Sequence, residues 1–324
     1  MNLKKPLIIG GILSVVGIGM MVTTYQDANF NLTYQKGRGL ETVDVRQNQQ
    51  SFDAKDVKKL DVDVKNSEVQ VRQGDSDKWK VETVAYSGVQ SSVNVTDGTL
   101  KVTAPTDKPK LIMSTGSTSG HFDDSYNSDL NNADTVIIVP KDVNIENVQI
   151  DGRDGGIILE RINAKHTNIN LADGGARLEH VNGDTLNYRG QDGRMHLENV
   201  NLKSMDVTGD NLRVSGTNLK LQEASQVKMT DGKFWMDRVQ APGFDLQADG
   251  NVHFNAKYDE DTDEFDNEKG TRQEKHGNQD KALKVEAGSG KIGVNEHKGL
   301  PNDYDGDYYV GYEEYDDEDD DDEN

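Results

Sequence analysis

Three glutamates are the first residues whose spacing could do chemistry. Glu160, Glu179 and Glu198 recur at a step of nineteen inside the related stretches ILERIN, RLEHVN and HLENVN. If the fold stacks one repeat on the next, their carboxylates form an outward file. Like charges that close repel, so such a file calls for cations, arginine neighbours or wide exposure to water. Two readings stay open: a ladder for a divalent metal or cationic ligand, or a solvated edge with Arg161, Arg177 and Arg194 nearby.

Trp235 is the second candidate. Strand alternation in KFWMD buries Phe234 and Met236 and turns Trp235 outward, where an indole can contact carbohydrate or protein; the competing reading is a core side chain. The acidic stretches are poorer candidates. Asp259, Asp261 and Asp263 imitate the start of a calcium loop, but Glu264 stands where the loop needs glycine and Gly270 where it needs glutamate. Asp303, Asp305 and Asp307 also lack that register. Weak calcium association is therefore the most these stretches support, and no cofactor is expected.

Histidines 121, 166, 180, 196, 253, 276 and 297 show no H-x-x-x-H or H-E-x-x-H spacing, and His180 shares a variable slot with Arg161 and Asn199. There is no G-x-S-x-G, and zero cysteines remove thiol catalysis, disulfides and cysteine zinc sites together. No catalytic residue is expected and the protein reads as non-enzymatic. A polysaccharide lyase or hydrolase is the rival class, because stacked β-coils also host such enzymes.

Charge narrows the partners. The 324 residues carry a net charge of -22, which argues against nucleic acid and against anionic lipid bound through a basic patch. The expected partners are a cell-envelope protein or polymer, a cationic peptide drawn to the acidic tail, and the membrane itself. Lys4 and Lys5 precede the uncharged run Pro6 to Val22, about 26 Å long as a helix and close to bilayer thickness. Residues 1–26 therefore read as an uncleaved single-pass anchor with the C-terminal part outside the cell, since MMVTTYQDA offers no A-x-A cleavage site.

The rest of the chain must position the candidates. Residues 27–55 read as a polar linker. Short alternating groups then begin, such as Leu60, Val62 and Val64, bounded by Gly, Asn and Asp, with no helical period after Val22. From Val143 the period of nineteen superimposes Leu159, Leu178 and Leu197; Asn163, Asn182 and Asn201; and Asp154, Asp173 and Asp192. A repeat this short cannot bury its own apolar face, so neighbours must stack. Stacked leucines make an apolar column, stacked asparagines can hydrogen-bond along theirs, and Asp-Gly pairs mark corners where glycine supplies positive φ. The fold class is all-β: a parallel β-helix, or β-solenoid, of about nineteen residues per coil over 56–296. A loop at 105–134 and an acidic insertion at 257–280 interrupt it, and a disordered acidic tail at 297–324 follows.

FDAKDVKKLDVDVKNSEVQVRQGDSDKWKVE, the connecting VIIVPKD, the coils rich in Asp-Gly and Asn, and the closing LKVEAGSGKIGV together resemble a bacterial putative-adhesin domain of unknown function. The resemblance covers about Ser51 to Val294. Some members of that family lie in cell-envelope stress operons of Gram-positive bacteria, often behind a single membrane anchor. A β-solenoid at the cell surface is what the resemblance implies, acting in adhesion, envelope sensing or partner docking, with no catalytic residues to carry over. The acidic insertion and tail depart from the family pattern.

Overall fold

The structure, a computed structural model, describes residues 30–35, 39–43, 45–86, 91–104, 111–115, 133–255, 258–259, 264–265 and 271–296. The anchor expected at 1–26, most of the loop and the tail at 297–324 lie outside the described residues. Among the described residues no helix is long and apolar enough to cross a membrane.

Alternation of apolar and polar residues builds nearly everything that is seen. Lys59–Lys65 (KLDVDVK) buries Leu60, Val62 and Val64 and turns the residues between them toward solvent. Each repeat contributes one strand to each of two ladders, and equivalent strands of successive repeats pair in parallel. The first ladder runs through Lys59–Lys65, Ile145–Arg153, Asn163–Leu171 and the first arm of Asn182–Leu221. The second runs through Glu68–Gln73, Gly155–Glu160, Gly174–Glu179 and the next arm of that long strand. All-β, parallel and repetitive is thus the observed architecture.

Register puts like over like. Val62, Ile150, Ile169 and Tyr188 are successive partners in one ladder, and Val71, Leu159, Leu178 and Leu197 in the other, each at most 1% exposed. Tyr188 keeps its place in the apolar file at the expense of its hydroxyl, which is buried without a hydrogen-bond partner; burial pushes its pKa up to about 12. A Cβ on Gly190 would stand 2.7 Å from that ring, which explains the glycine two residues on.

The step is nineteen only through the middle of the stack. Val207 pairs with Val227, a step of twenty, and Val227 pairs with Val285, a step of fifty-eight. The final coil, Leu283–Ala287 with Lys291–Glu296, therefore inserts between the coil of Ser225–Met229 and Gly232–Val239 and the coil of Gly243–Phe254. Likewise Val69 pairs with Ile157, eighty-eight residues away. Stacking in chain order, as sequence suggests, fails at both ends. The physical reason is edge protection: antiparallel strands rich in polar residues close the stack, so the apolar final coil gains a neighbour on each side.

Those closing strands correct three expectations. The supposed linker at 27–55 supplies Phe30–Gln35, Gly39–Val43 and Val45–Asp53, the last paired antiparallel with Lys78–Tyr86. Part of the loop at 105–134, Leu111–Thr115, pairs with Phe30–Gln35. The acidic insertion contributes Thr271–Gly277, paired antiparallel with Gly243–Phe254 and anchored by His276 stacking on Phe254 at 3.9 Å. Thr271–Gly277 (TRQEKHG) has no aliphatic residue at all, and in Val45–Asp53 (VRQNQQSFD) the apolar residues stand only at the two ends, so neither reads as a strand in sequence.

Corners divide the positive φ between the two residues. At Asp154 (φ 50), Asp192 (φ 40) and Asn211 (φ 46) the short polar residue takes it, since such side chains tolerate this region, whereas at Asp173-Gly174 the glycine takes it (φ 154). Gly174 also serves close approach: a Cβ there would collide with the backbone carbonyl of Gly155 in the coil below.

Because Leu178 packs in mid-file with a leucine on either side, Leu178→Ala should lower unfolding free energy by about 2–5 kcal/mol, read from the urea midpoint.

Candidate functional site

The outer face of the second ladder gathers the sequence candidates into three neighbouring files. In the first, Arg72, Glu160, Glu179 and Glu198 are register partners. Repulsion within it is met by neighbours from adjacent positions. Arg161 pairs with Glu160, Arg177 pairs with Glu179, and Gln70 Nε2 donates to Glu160 Oε2 at 3.3 Å. The Glu160 and Glu179 side chains keep only 15% and 13% of their exposure, so the file is covered by its partners and is no open edge. Arg194 does not join it. Among the described residues no group of three or more His, Asp or Glu side chains is placed to hold a metal ion.

The second file runs Gln70, Ile158, Arg177, His196, Ser215, Trp235, Gly293 and His253. Trp235 does face outward between buried Phe234 and Met236, but it is half-buried beside register neighbours with small side chains or none. Burial holds the His196 pKa below its ordinary value, helped by Arg177 and opposed by Glu198 and Glu179; its Nδ1 lies 3.3 Å from Ser215 Oγ. His253 is lowered too, by burial and then by Lys291.

The third file escaped the sequence reading. Gly175 pairs with Arg194, Arg213 pairs with Lys233, and Lys233 pairs with Lys291. Arg213 is the coil-to-coil neighbour of Arg194, as Ser215 is of His196. Four cations therefore follow one another up one file in a strongly acidic protein. Arg194 and Arg213 share the nineteen-residue step and could have been noticed; Lys291 is visible only once the last coil is known to insert.

The corner that follows places Arg161, His180, Asn199, Asn218 and Arg238 at positive φ of 52–57, so the variable slot holding His180 is a structural turn. Asparagine is the favourable choice there, and Asn218 Nδ2 donates to Asn199 Oδ1 at 2.8 Å. Of the predicted asparagine file, Asn182 Nδ2 donates to Asn163 Oδ1 at 3.1 Å, but Asn201 does not continue it: its Oδ1 is buried without a partner. A second amide file, Asn187 to Asn168 at 2.8 Å and Asn168 to Asn147 at 3.1 Å, crosses the first ladder's outer face. It borders a shallow groove of about 330 Å³ lined by Gln149, Arg189 and Asp206.

With this geometry in hand, comparison with known proteins is direct. A family model described as Toastrack DUF4097 matches residues 57–243. The chain belongs to the Toastrack DUF4097 family. Three solved structures overlap it at 13% identity: one described as a "putative cell adhesion protein" from Clostridium sporogenes, covering 78% of this chain and 100% of its own with a TM-score of 0.31; a "putative adhesin" from Bacteroides fragilis, covering 77% and 97% with 0.31; and a "putative lipid binding protein" from Parabacteroides distasonis, covering 77% and 96% with 0.33. Overlaps of this size carry nothing to the functional reading. Among curated proteins none matches the chain. For this Toastrack protein the files themselves must bear the functional argument.

Histidines held below their ordinary pKa are harder to protonate folded than unfolded. Acidification through about pH 6.5 protonates the unfolded chain first and draws population away from the fold. Stability should therefore fall as pH drops from about 7 to about 5, and a His196→Gln, His253→Gln variant should show a shallower fall in urea midpoint with pH.

Proposed function

We propose that this Toastrack protein is a non-catalytic spike, tethered to the cell membrane through residues 1–26, with its solenoid outside the cell. On this reading the outer face of the second ladder docks a cell-envelope protein or polymer. One observation carries the proposal: the charged and aromatic side chains lie in files along one face, Glu160 to Glu198 and His196 to Trp235, where they can meet an extended surface and do not converge on one reacting atom. Ion pairs such as Arg177 with Glu179 fix the face's shape before a partner arrives, which lowers the ordering cost of binding.

Within that face Trp235 is the anchor for contact. Its indole is the large amphipathic group on the file, and aromatic anchors dominate docking energies. Trp235→Ala should weaken binding of the full-length protein to cell-wall preparations by about tenfold or more, measured where the variant is still fully folded, because removing the half-buried ring also lowers the urea midpoint. Unchanged binding removes the tryptophan from the reading. Measurable turnover of uronate polymers or peptidoglycan by the full-length protein would replace the whole proposal with a polysaccharide-acting enzyme.

A further inference from the structure

The cation file concentrates positive charge on the outer face of the second ladder. Three acidic groups of the neighbouring glutamate file have their own cations: Glu160 with Arg161, Glu179 with Arg177, and Asp237 with Arg238 at 3.2 Å. Asp192, at the corner beside Arg194, already accepts from Asn211 Nδ2 at 2.8 Å. Among the described residues Arg194, Arg213 and Lys291 form no ion pair, and all three are exposed. Successive strands stand about 4.8 Å apart, so the file of Arg194, Arg213, Lys233 and Lys291 spans ~14 Å. Four cations that close repel one another, and an occupant with matching negative charge relieves that repulsion.

We propose that this file docks an extended polycarboxylate strand, and that its occupant is the chain's own segment 313–323, EEYDDEDDDDE. Ten of the eleven residues there are acidic, with Tyr315 the exception, so either face of an extended strand presents carboxylates, about 7 Å apart. Reach is ample: sixteen residues lie between Glu296 and Glu313, enough for ~55 Å at full extension. Glu296 ends the strand that begins at Lys291, so the described chain stops about 17 Å along the strand from the file. Net charge selects the tethered occupant over a foreign one. Without the segment's ten charges the rest of the chain still carries -12 (-22 + 10) and repels free polyanions at long range, whereas a segment on the same chain arrives at millimolar effective concentration without a second encounter.

A fluorescent peptide of sequence EEYDDEDDDDE is the probe, titrated into full-length protein and into a variant ending at Tyr312. The truncated protein should bind it about tenfold or more tighter than the full chain, with affinity falling steeply between about 50 and 500 mM salt. In the truncated background, Arg194→Glu with Arg213→Glu should abolish binding. Lys228→Glu with Lys284→Glu makes the same charge change on the other ladder and should leave it intact. If the reversals unfold the protein, Arg194→Gln with Arg213→Gln replaces them, with a loss of about tenfold expected. Equal binding by full-length and truncated chains, or equal loss from the Lys228 and Lys284 changes, overturns the proposal. So does binding of inorganic polyphosphate about tenfold tighter than the peptide, which would assign the file to a foreign phosphate polymer.

Discussion

Parallel backbone pairing between equivalent strands is the constraint on which the rest depends. It holds each residue about 4.8 Å from its counterpart in the next coil, whatever its side chain. For Leu159, Leu178 and Leu197 the consequence is favourable, because identical aliphatic groups nest in a dry file. For Asn147, Asn168 and Asn187 it is also favourable, since an amide can donate to one neighbour and accept from the other. For ionised groups it is a liability that must be answered locally. Arg177 answers it for Glu179, and Thr217 separates Glu198 from Asp237 along the same file. Among the described residues no ion pair answers it for Arg194 and Arg213, which leaves their file a concentration of uncompensated positive charge.

A second consequence concerns the ends. A parallel stack exposes unsatisfied backbone groups at its first and last coils, and those invite pairing with other chains. Here polar antiparallel strands, Val45–Asp53 and Ser92–Thr96 at one end and Thr271–Gly277 at the other, occupy them. Insertion of the final coil inside the stack follows the same logic. Leu283, Val285, Ile292 and Val294 are fully buried and need partners on both sides.

The two ladders then differ in what they offer outward. The first displays amides bonded to one another and ion pairs such as Lys203 with Asp184 and Lys275 with Asp245; the second displays paired carboxylates, a tryptophan and surplus cations. A docking function rests more naturally on the second, because its groups retain unspent capacity for charge and aromatic contact. Family membership agrees with a repeat scaffold, and the scaffold alone does not fix its ligand.

Much of the fold was legible in residues 143–221, where period nineteen assigns each position its own chemistry: Leu178 inside, Glu179 outside, Asp192 at a corner. That legibility has a physical source, since stacking forces equivalent positions into equivalent environments and the sequence must repeat accordingly. Edge strands such as Thr271–Gly277 were illegible because one solvated face and no core leave no apolar alternation to detect. The sequence by itself determined strand type, the inward files and the face on which Trp235 and the glutamates lie. Only the tertiary structure decided the order of coils, and with it the meeting of Arg213, Lys233 and Lys291. Which distant strand completes a ladder depends on the backbone hydrogen bonds and burial available at each edge, and those belong to the assembled stack.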